Sequence, residues 1–268
     1  MRYFFHIGYH GANYRGWQRQ AKAVNVQEVA ETALSQILKT QLAVTGCGRT
    51  DAKVHASQFF FHVDIEHEWD FDLLFRLNKI LPDDIAVFEI IPMQGLPHAR
   101  FDATQRTYDY YMHTYKDPFL NPVSALYLEK NLALDGMKKA MALLPKYSDY
   151  CALCKTPANH RTTICNIVSA TLFADGTGDR LRFRISANRF LGKMVRIIVG
   201  KLIDIGRGEL TVDEFEHILI SRETPKTIEP AYPQGLFLSK VTYPFLDIPP
   251  RTDFSTVLQG DVDKWVAV

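Results

Sequence analysis

The most constraining feature of this sequence is the order in which strand-like and helix-like periodicities follow one another. Residues 3–10 alternate as a strand does, and "NVQEVAETALSQIL" repeats its apolar residues at helical spacing. The same criteria then give a strand near 42–47, a strand over 57–65, the short helix "DFDLLFRLNKIL" and the strand "DIAVFEI". The order strand, helix, strand, strand, helix, strand is that of the ferredoxin-like arrangement.

The second half repeats the same kinds of segment. Its patterns predict strands at 106–115, 167–174, 181–187 and "GLFLSKVTY", and helices at 134–144, 189–204 and after Thr211. Asp135 is expected to cap the helix at 134–144, Gly206 to end the helix at 189–204, and Thr211 to form a capping box with Glu214.

These patterns together predict an α+β chain. We expect two ferredoxin-like (RRM-like) halves that form a sheet-rich molecule with a central catalytic cleft. The halves are predicted at residues 1–105 and 106–246, and a less patterned tail at 247–268.

Composition narrows the class of protein. A chain of 268 residues with 47% hydrophobic residues can bury a substantial core. No apolar run reaches the roughly 18 residues of a membrane span, and the N-terminus has no cleavage-like site. Four cysteines without an extracellular cue predict reduced thiols in the cytoplasm. The net charge of +1 neither predicts nor excludes a nucleic-acid partner, because local patches matter more than the total.

A dense group of charges lies in "GRTDAKVH", just before the strand at 57–65. Arg49 and Lys53 flank Asp51, and two nearby cations would lower the pKa of this carboxyl group and keep it ionised. An ionised carboxylate suits a nucleophile or a base and does not suit a general acid. The alternative is a salt bridge in a loop, and the local sequence lacks the further carboxylates of a magnesium site.

Aromatic residues of the strand at 106–115 give a second candidate. Tyr108 and Tyr110 share one face, because side chains alternate along a strand. For Tyr110 we expect ordinary burial. For Tyr108 the functional alternative is a ring that stacks on a nucleobase.

Six cations on two consecutive predicted elements give a third candidate. The strand carries Arg180, Arg182 and Arg184 on one face, and the following helix carries Arg189, Lys193 and Arg196 on one face. Such clustering predicts a phosphate-binding surface. The alternative is solvated charge around an amphipathic helix.

Four residues have a spacing close to that of a zinc knuckle. They are Cys151, Cys154, His160 and Cys165, with the spacing C-x2-C-x5-H-x4-C. Because the segment lies inside a domain with its own core and Cys165 opens a strand, we expect no bound metal.

Six segments, taken in order, resemble the tRNA pseudouridine synthase A family. They are "YHGANYRGWQRQ", "GRTDAKVHASQ", "RLNKILPDDIAV", "PHARFDATQRTYDYY", "FLGKMVRIIVGKLIDIGRG" and "GLFLSKVTY", and they span about 230 residues. The resemblance implies two ferredoxin-like halves with a cleft between them, a homodimer and no cofactor. The implied reaction converts uridine to pseudouridine in tRNA, at positions 38, 39 and/or 40 of the anticodon stem-loop.

The same resemblance assigns roles to individual residues. Asp51 matches the catalytic aspartate, Arg49 the motif arginine two positions before it, Tyr108 the active-site tyrosine, and Arg196 the arginine that pairs with the aspartate. Lys53 stands where the family usually has glycine, so it is strained if that position requires a positive φ.

Two other function classes compete with this interpretation. A non-catalytic RNA-binding protein on the same scaffold would bind tRNA without needing the carboxylate of Asp51. A carboxylate glycosidase would need a second acidic residue as its acid, and no second motif-like acid is evident.

Overall fold

The computed structural model describes residues 1–129, 131–223, 228–251 and 266–268. The chain divides into two compact units. Unit 1 contains Met1–Thr104 and the described part of Phe237–Asp253, and unit 2 contains Gln105–Leu236 and the described part of Phe254–Val268. The first division lies one residue before the end predicted for the first half. The last predicted strand falls largely in unit 1, and residues 252–265 of the predicted tail lie outside the described residues.

The described part of the chain contains ten strands and five α-helices. The strands are β1 (Arg2–Tyr9), β2 (Thr45–Gly46), β3 (His55–Asp64), β4 (Ile85–Pro92), β5 (Gln105–His113), β6 (Ala125–Leu126), β7 (Ile167–Ala174), β8 (Arg180–Ala187), β9 (Leu236–Thr242) and β10 (Val266–Ala267). The α-helices are α1 (Val26–Leu38), α2 (Leu73–Ile80), α3 (Leu134–Leu143), α4 (Met194–Arg207) and α5 (Val212–Ser221). The prediction of a sheet-rich α+β chain is confirmed. That each half is ferredoxin-like stays a prediction.

In unit 1, β1 and β3 form the middle of the sheet. β1 lies antiparallel between β3 and β4, while β3 also pairs with β2 (antiparallel) and β9 (parallel). A central strand is covered on both faces, so its sequence is apolar without a break. That is why "QFFFHV" shows three consecutive buried rings, Phe59, Phe60 and Phe61, each at most 1% exposed. The Phe61 ring stacks on Phe5 with centroids 4.8 Å apart.

In unit 2, the strands run in the order β10-β7-β8-β5, all antiparallel, with the short β6 beside β5. α3 packs against α4 and β7. The alternation of β8 is as predicted on its apolar face, where Leu181, Phe183 and Ile185 are buried. The capping box of α5 is also confirmed: Thr211 Oγ1 accepts from the Glu214 N–H at 3.1 Å, and the Glu214 carboxylate accepts from the Thr211 N–H at 2.8 Å.

Both predicted ends of α4 are wrong. Lys193 has φ +60°, which is incompatible with a right-handed helix, so α4 begins only at Met194. At the other end, Gly206 lies inside the helix, where a Cβ would come within 2.8 Å of Met137 Sδ. Gly206 therefore allows close packing, and Gly208, at φ +76°, ends the helix.

The predicted cap of α3 is also wrong. Asp135 lies in the first turn, and the N-cap position is taken by Ala133, which makes no side-chain cap bond. The Ala133 N–H instead donates to the Gly206 carbonyl at 2.8 Å, so contact with α4 sets where α3 begins.

None of the helices in the described part of the chain is long and apolar enough to cross a bilayer.

Candidate active site

Asp51 is half-buried in the loop between β2 and β3. The preceding residue, Thr50, is nearly buried, and its hydroxyl is 2.9 Å from the Tyr9 hydroxyl and accepts from the Trp17 N–H at 3.1 Å. Arg49, one residue earlier, is exposed. The backbone that carries Asp51 is therefore tied to β1 and to the segment that follows it.

Two glycines of that segment let the chain approach the Asp51 loop. A Cβ at Gly16 would lie 2.2 Å from the Thr50 carbonyl oxygen, and Gly16 also has φ +90°. A Cβ at Gly11 would lie 2.0 Å from the Val54 carbonyl oxygen. Both contacts are far too short for any other residue. The sequence analysis gave Gly11 and Gly16 no individual role, although both lie in the motif "YHGANYRGWQRQ".

Backbone hydrogen bonds close the other side of the loop. The Lys53 N–H donates to the Tyr14 carbonyl at 3.0 Å, and the Val54 N–H donates to the Asp51 carbonyl at 3.2 Å. At the start of β3, His55 Nδ1 accepts from the Gly11 N–H at 2.9 Å. The position of Asp51 is thus fixed by contacts that do not use its carboxylate.

Lys53 has φ +64°, so the position that the sequence analysis singled out does require a left-handed backbone. For a residue with a Cβ this conformation costs roughly 1–2 kcal/mol. Its side chain is exposed. The expectation that Lys53 is strained here is therefore confirmed.

Lys53→Gly should raise the free energy of unfolding by about 0.5–1 kcal/mol, because the relief of strain exceeds the entropy that glycine adds to the unfolded chain. Lys53→Val should lower it, since a β-branched residue fits this backbone worse than lysine does. Chemical denaturation measures both changes. Lys116→Gly, at an exposed loop position without positive φ, is the control and should give no gain. A gain of the same size at Lys116 would contradict the strain at Lys53.

Tyr108 lies on β5 and is half-buried, with its ring edge-to-face against Phe190 at a centroid distance of 5.1 Å. Tyr110, on the same face, is fully buried, and its hydroxyl lies 3.3 Å from that of Tyr127. Burial, and then the neighbouring Tyr127, raises the pKa of Tyr110 well above its ordinary value. The expectation that Tyr110 is a packing residue is confirmed. Tyr108 is the member of the pair that is only partly buried.

Arg196 lies in the first turn of α4 and is half-buried. Its Nε donates to the Ala231 carbonyl at 2.7 Å, and the Ala231 N–H donates back to the Arg196 carbonyl at 2.9 Å. The guanidinium is therefore held in place within unit 2. Arg189 and Lys193 are half-buried and precede α4, so the prediction that they share a helix face with Arg196 is wrong.

The three arginines of β8 lie on one face of the strand, as predicted, but all three are partly or fully buried and have protein partners, and their role in binding phosphate stays a prediction. Arg182 is only 4% exposed, and its Nε donates to Asp109 Oδ1 at 2.8 Å. Arg184 donates to both oxygens of the same buried carboxylate, at 2.9 and 3.1 Å. Arg180 donates to the Tyr115 hydroxyl at 2.9 Å. Arg182 and Arg184 therefore neutralise the buried carboxylate of Asp109, to which the sequence analysis gave no role.

Strand pairing also separates these arginines from Tyr108. Tyr108 pairs with Ile185 across β5 and β8, whereas Arg184 pairs with Asp109. Directly paired residues share a face and neighbouring residues lie on opposite faces. The arginine face and the Tyr108 face of this sheet are therefore opposite, and Arg184 cannot touch a base stacked on Tyr108.

Two of the four residues with the zinc-like spacing, Cys154 and Cys165, pack in the protein interior. Cys154 and Cys165 are fully buried, and burial raises the pKa of Cys165 to about 11, so its thiol stays protonated near neutral pH. His160 Nε2 accepts from the Gly192 N–H at 3.4 Å. Among residues 1–129, 131–223, 228–251 and 266–268, no group of three or more His, Cys, Asp or Glu side chains is placed to hold a metal ion.

Comparison with known proteins identifies the family. A family model described as tRNA pseudouridine synthase matches residues 147–244. The tRNA pseudouridine synthase A of Parabacteroides distasonis is 42% identical over 246 residues, covering 91% of this chain and 96% of that protein. The proteins of the same name from Porphyromonas gingivalis and Thermoanaerobacter sp. are 38% and 35% identical, covering 91% and 88% of this chain and 97% of each relative. The chain therefore belongs to the tRNA pseudouridine synthase A family.

Proposed function

We propose that this chain converts uridine to pseudouridine in tRNA, at positions 38, 39 and/or 40 of the anticodon stem-loop, with Asp51 as its single catalytic carboxylate. Membership of the family supports the isomerase class and tRNA as the substrate. The positions and a homodimeric assembly rest on the family resemblance of the motifs, and a cytoplasmic location rests on the four cysteines without an extracellular cue. All three stay predictions.

The observation that carries the proposal is the construction of the Asp51 loop. Thr50, Lys53 and Val54 are each held by hydrogen bonds, and Gly11 and Gly16 bring a second segment against them. A catalytic group that is held in place before the substrate binds avoids the entropic cost of ordering it during the reaction.

The reaction requires little from the protein beyond one correctly positioned carboxylate. The bond between N1 of uracil and C1′ breaks, the base turns, a bond forms between C5 and C1′, and the proton from C5 leaves as N1 gains one. Product and substrate are isomers, so no oxidant, reductant or group donor enters the balance. Asp51 would act as a nucleophile towards C1′ or C6, or as the base that removes a sugar proton.

The other site residues have supporting roles in the proposal. Tyr108 stacks on the flipped uracil and assists the final proton removal, and the resemblance of their motifs assigns Arg196 and Arg49 to the orientation of Asp51. The proposed contacts with tRNA phosphates are made by Arg180, Arg184, Arg189 and Lys193. Arg182 is too deeply buried for direct contact with a phosphate, and Arg180 and Arg184 would touch a different stretch of tRNA from the one at Tyr108.

Arg196→Ala should lower the single-turnover rate constant at saturating tRNA by about a hundredfold, as loss of one preorganised hydrogen-bond donor does in other enzymes. The dissociation constant for tRNA should change much less. Arg207→Ala, on the same helix but paired with Glu129, is the matched control and should react at the wild-type rate. Equal losses of rate in the two variants would show that Arg196 acts only through the stability of α4.

Mapping pseudouridine in an unmodified tRNA after incubation with the protein tests the proposal as a whole. We expect product at one or more of positions 38, 39 and 40, and none in a transcript whose uridines at those positions are replaced by cytidine. Product elsewhere in the tRNA would overturn the positions but keep the reaction. Absence of pseudouridine in every tRNA would overturn the function.

A further inference from the structure

The loop between β4 and β5 presents an aromatic ring to solvent. Phe101 is 74% exposed, although its neighbours Ala99 and Ala103 are buried. The loop lies within unit 1 and carries one further exposed large apolar side chain, Leu96, also 74% exposed. A single exposed apolar residue needs no special explanation. The hydrogen bonds that hold this loop in place do need an explanation.

A network of hydrogen bonds fixes the backbone beneath the Phe101 ring. His98 Nδ1 accepts from the N–H groups of Arg100 and Phe101 at 3.1 and 3.3 Å. The His98 N–H donates to Asp102 Oδ2 at 2.7 Å, which closes the loop on itself. The Tyr243 hydroxyl donates to the Ala99 carbonyl at 2.6 Å. The exposed ring is therefore carried on a rigid support.

The buried imidazole of His62 completes that support. Its Nδ1 accepts from the Ala99 N–H at 3.1 Å, so that nitrogen must be unprotonated. Burial, and then the Arg2 cation, lowers the pKa of His62 to about 4, which keeps the ring neutral near pH 7. The hydrogen bond from the Ala99 N–H to His62 is therefore kept near pH 7.

The surroundings of the ring are polar and cationic. The Arg100 guanidinium carbon lies 5.7 Å from the Phe101 ring centroid, and the His98 ring lies 4.3 Å from it, tilted by 33°. A protein interface needs roughly 800 Å² per partner, which two isolated apolar side chains do not supply. A nucleobase needs only one exposed aromatic face, and a neighbouring cation suits its phosphate.

We propose that Phe101 is a stacking platform for an unpaired base of the bound tRNA, with Arg100 beside it for the adjoining phosphate. This inference rests on the proposed function, because it takes tRNA as the ligand. The contribution of Phe101 is a non-ionic stacking contact. It therefore raises affinity without changing how affinity depends on salt, whereas a phosphate contact by Arg100 adds to the salt dependence.

The test compares tRNA dissociation constants for the wild type, Phe101→Tyr, Phe101→Leu and Arg100→Ala over a range of salt. Phe101→Leu should bind about tenfold more weakly with the same slope of log Kd against log salt, since a stacked base contributes roughly 1–3 kcal/mol. Phe101→Tyr keeps the ring and should bind within about twofold of the wild type. Arg100→Ala should reduce the salt slope by about one. Phe119→Leu, at an 88% exposed phenylalanine of unit 2, is the matched control and should bind as the wild type does.

Each outcome decides the proposal. Wild-type affinity in Phe101→Leu would overturn it. So would a loss of self-association in that variant, measured by sedimentation, that fully accounts for weaker tRNA binding, because the ring would then face a second copy of the chain. Failure of the proposed function looks different: the wild type itself would form no pseudouridine, whatever the Phe101 variants bind.

Discussion

Asp51→Asn is expected to bind tRNA with wild-type affinity and to form no pseudouridine. The substitution keeps the size and shape of the side chain and removes only the ionised oxygen that the chemistry requires. The loss of rate should exceed about 10⁴-fold, as for removal of other nucleophiles and bases. Nucleoside analysis of the recovered tRNA gives the rate, and filter binding gives the affinity.

The fold should survive this substitution. The bonds that set the loop come from Thr50, from the Lys53 N–H and from the Val54 N–H to the Asp51 carbonyl, and asparagine keeps all of them. Asp70→Asn, the same change at an exposed carboxylate, is the control and should leave turnover unaltered. Appreciable turnover by Asp51→Asn would remove this residue from catalysis. Turnover by the wild type that is lost in Asp51→Asn at unchanged tRNA affinity would exclude the view that the chain only binds RNA.

Tyr108→Phe and Tyr108→Leu should differ from each other. Phenylalanine keeps the ring for stacking, so Tyr108→Phe should bind tRNA normally but lose about 10²–10⁴-fold in the rate of product formation, because the hydroxyl assists proton removal. Leucine loses the stacking face as well, at a cost of roughly 1–3 kcal/mol, so Tyr108→Leu should lose both base capture and turnover. Single-turnover assays and binding measurements separate these losses.

The hydroxyl control for this pair is Tyr147→Phe. Tyr147 donates to Glu216 at 2.7 Å, so its removal deletes a tyrosine hydroxyl of unit 2 that the proposal does not use. Full activity in Tyr108→Phe would remove the proton-transfer role and leave stacking. Full activity in Tyr108→Leu would show that Tyr108 only packs against Phe190.

Local patterns predicted the five α-helices and every described strand except β6 and β10. The helical spacing of "NVQEVAETALSQIL" corresponds to α1, which begins where the Asn25 side chain accepts from the Glu28 N–H. The alternation at 167–174 matches β7 residue for residue. β6 and β10 have two residues each and so carry no measurable period, and unlike β2 they lie in segments where no strand was predicted.

The errors arose where tertiary contacts decide local conformation. The apolar spacing in "NRFLGKMVR" suits a helix, but Lys193 adopts φ +60° and Phe190 is engaged with Tyr108, so α4 starts later. A glycine at position 206 is typical of a helix C-terminus. Here its lack of a side chain instead allows Met137 to pack closely against α4. No single-sequence pattern distinguishes these two uses of glycine.

For the candidate site, too, the sequence indicated some of the residues and not others. The charged motif led directly to Asp51, and the departure at Lys53 led to a strained position. The arginines of β8 were misjudged because their partner, Asp109, lies on a strand more than 70 positions away and carries no motif. The contacts of Gly11 and Gly16 with the Asp51 loop were likewise not predicted, because the close approach of two backbone segments leaves no local sequence pattern.

Release of tritium from tRNA labelled at carbon 5 of uridine tests the central claim most directly, because that hydrogen leaves only when the new bond to carbon 5 forms. Wild-type protein should release one tritium for each pseudouridine formed, and a tRNA with cytidine at positions 38 to 40 should release none. Asp51→Asn, at a concentration that binds all the tRNA, should release none from the natural sequence. Tritium release by Asp51→Asn at a rate near that of the wild type would contradict the account.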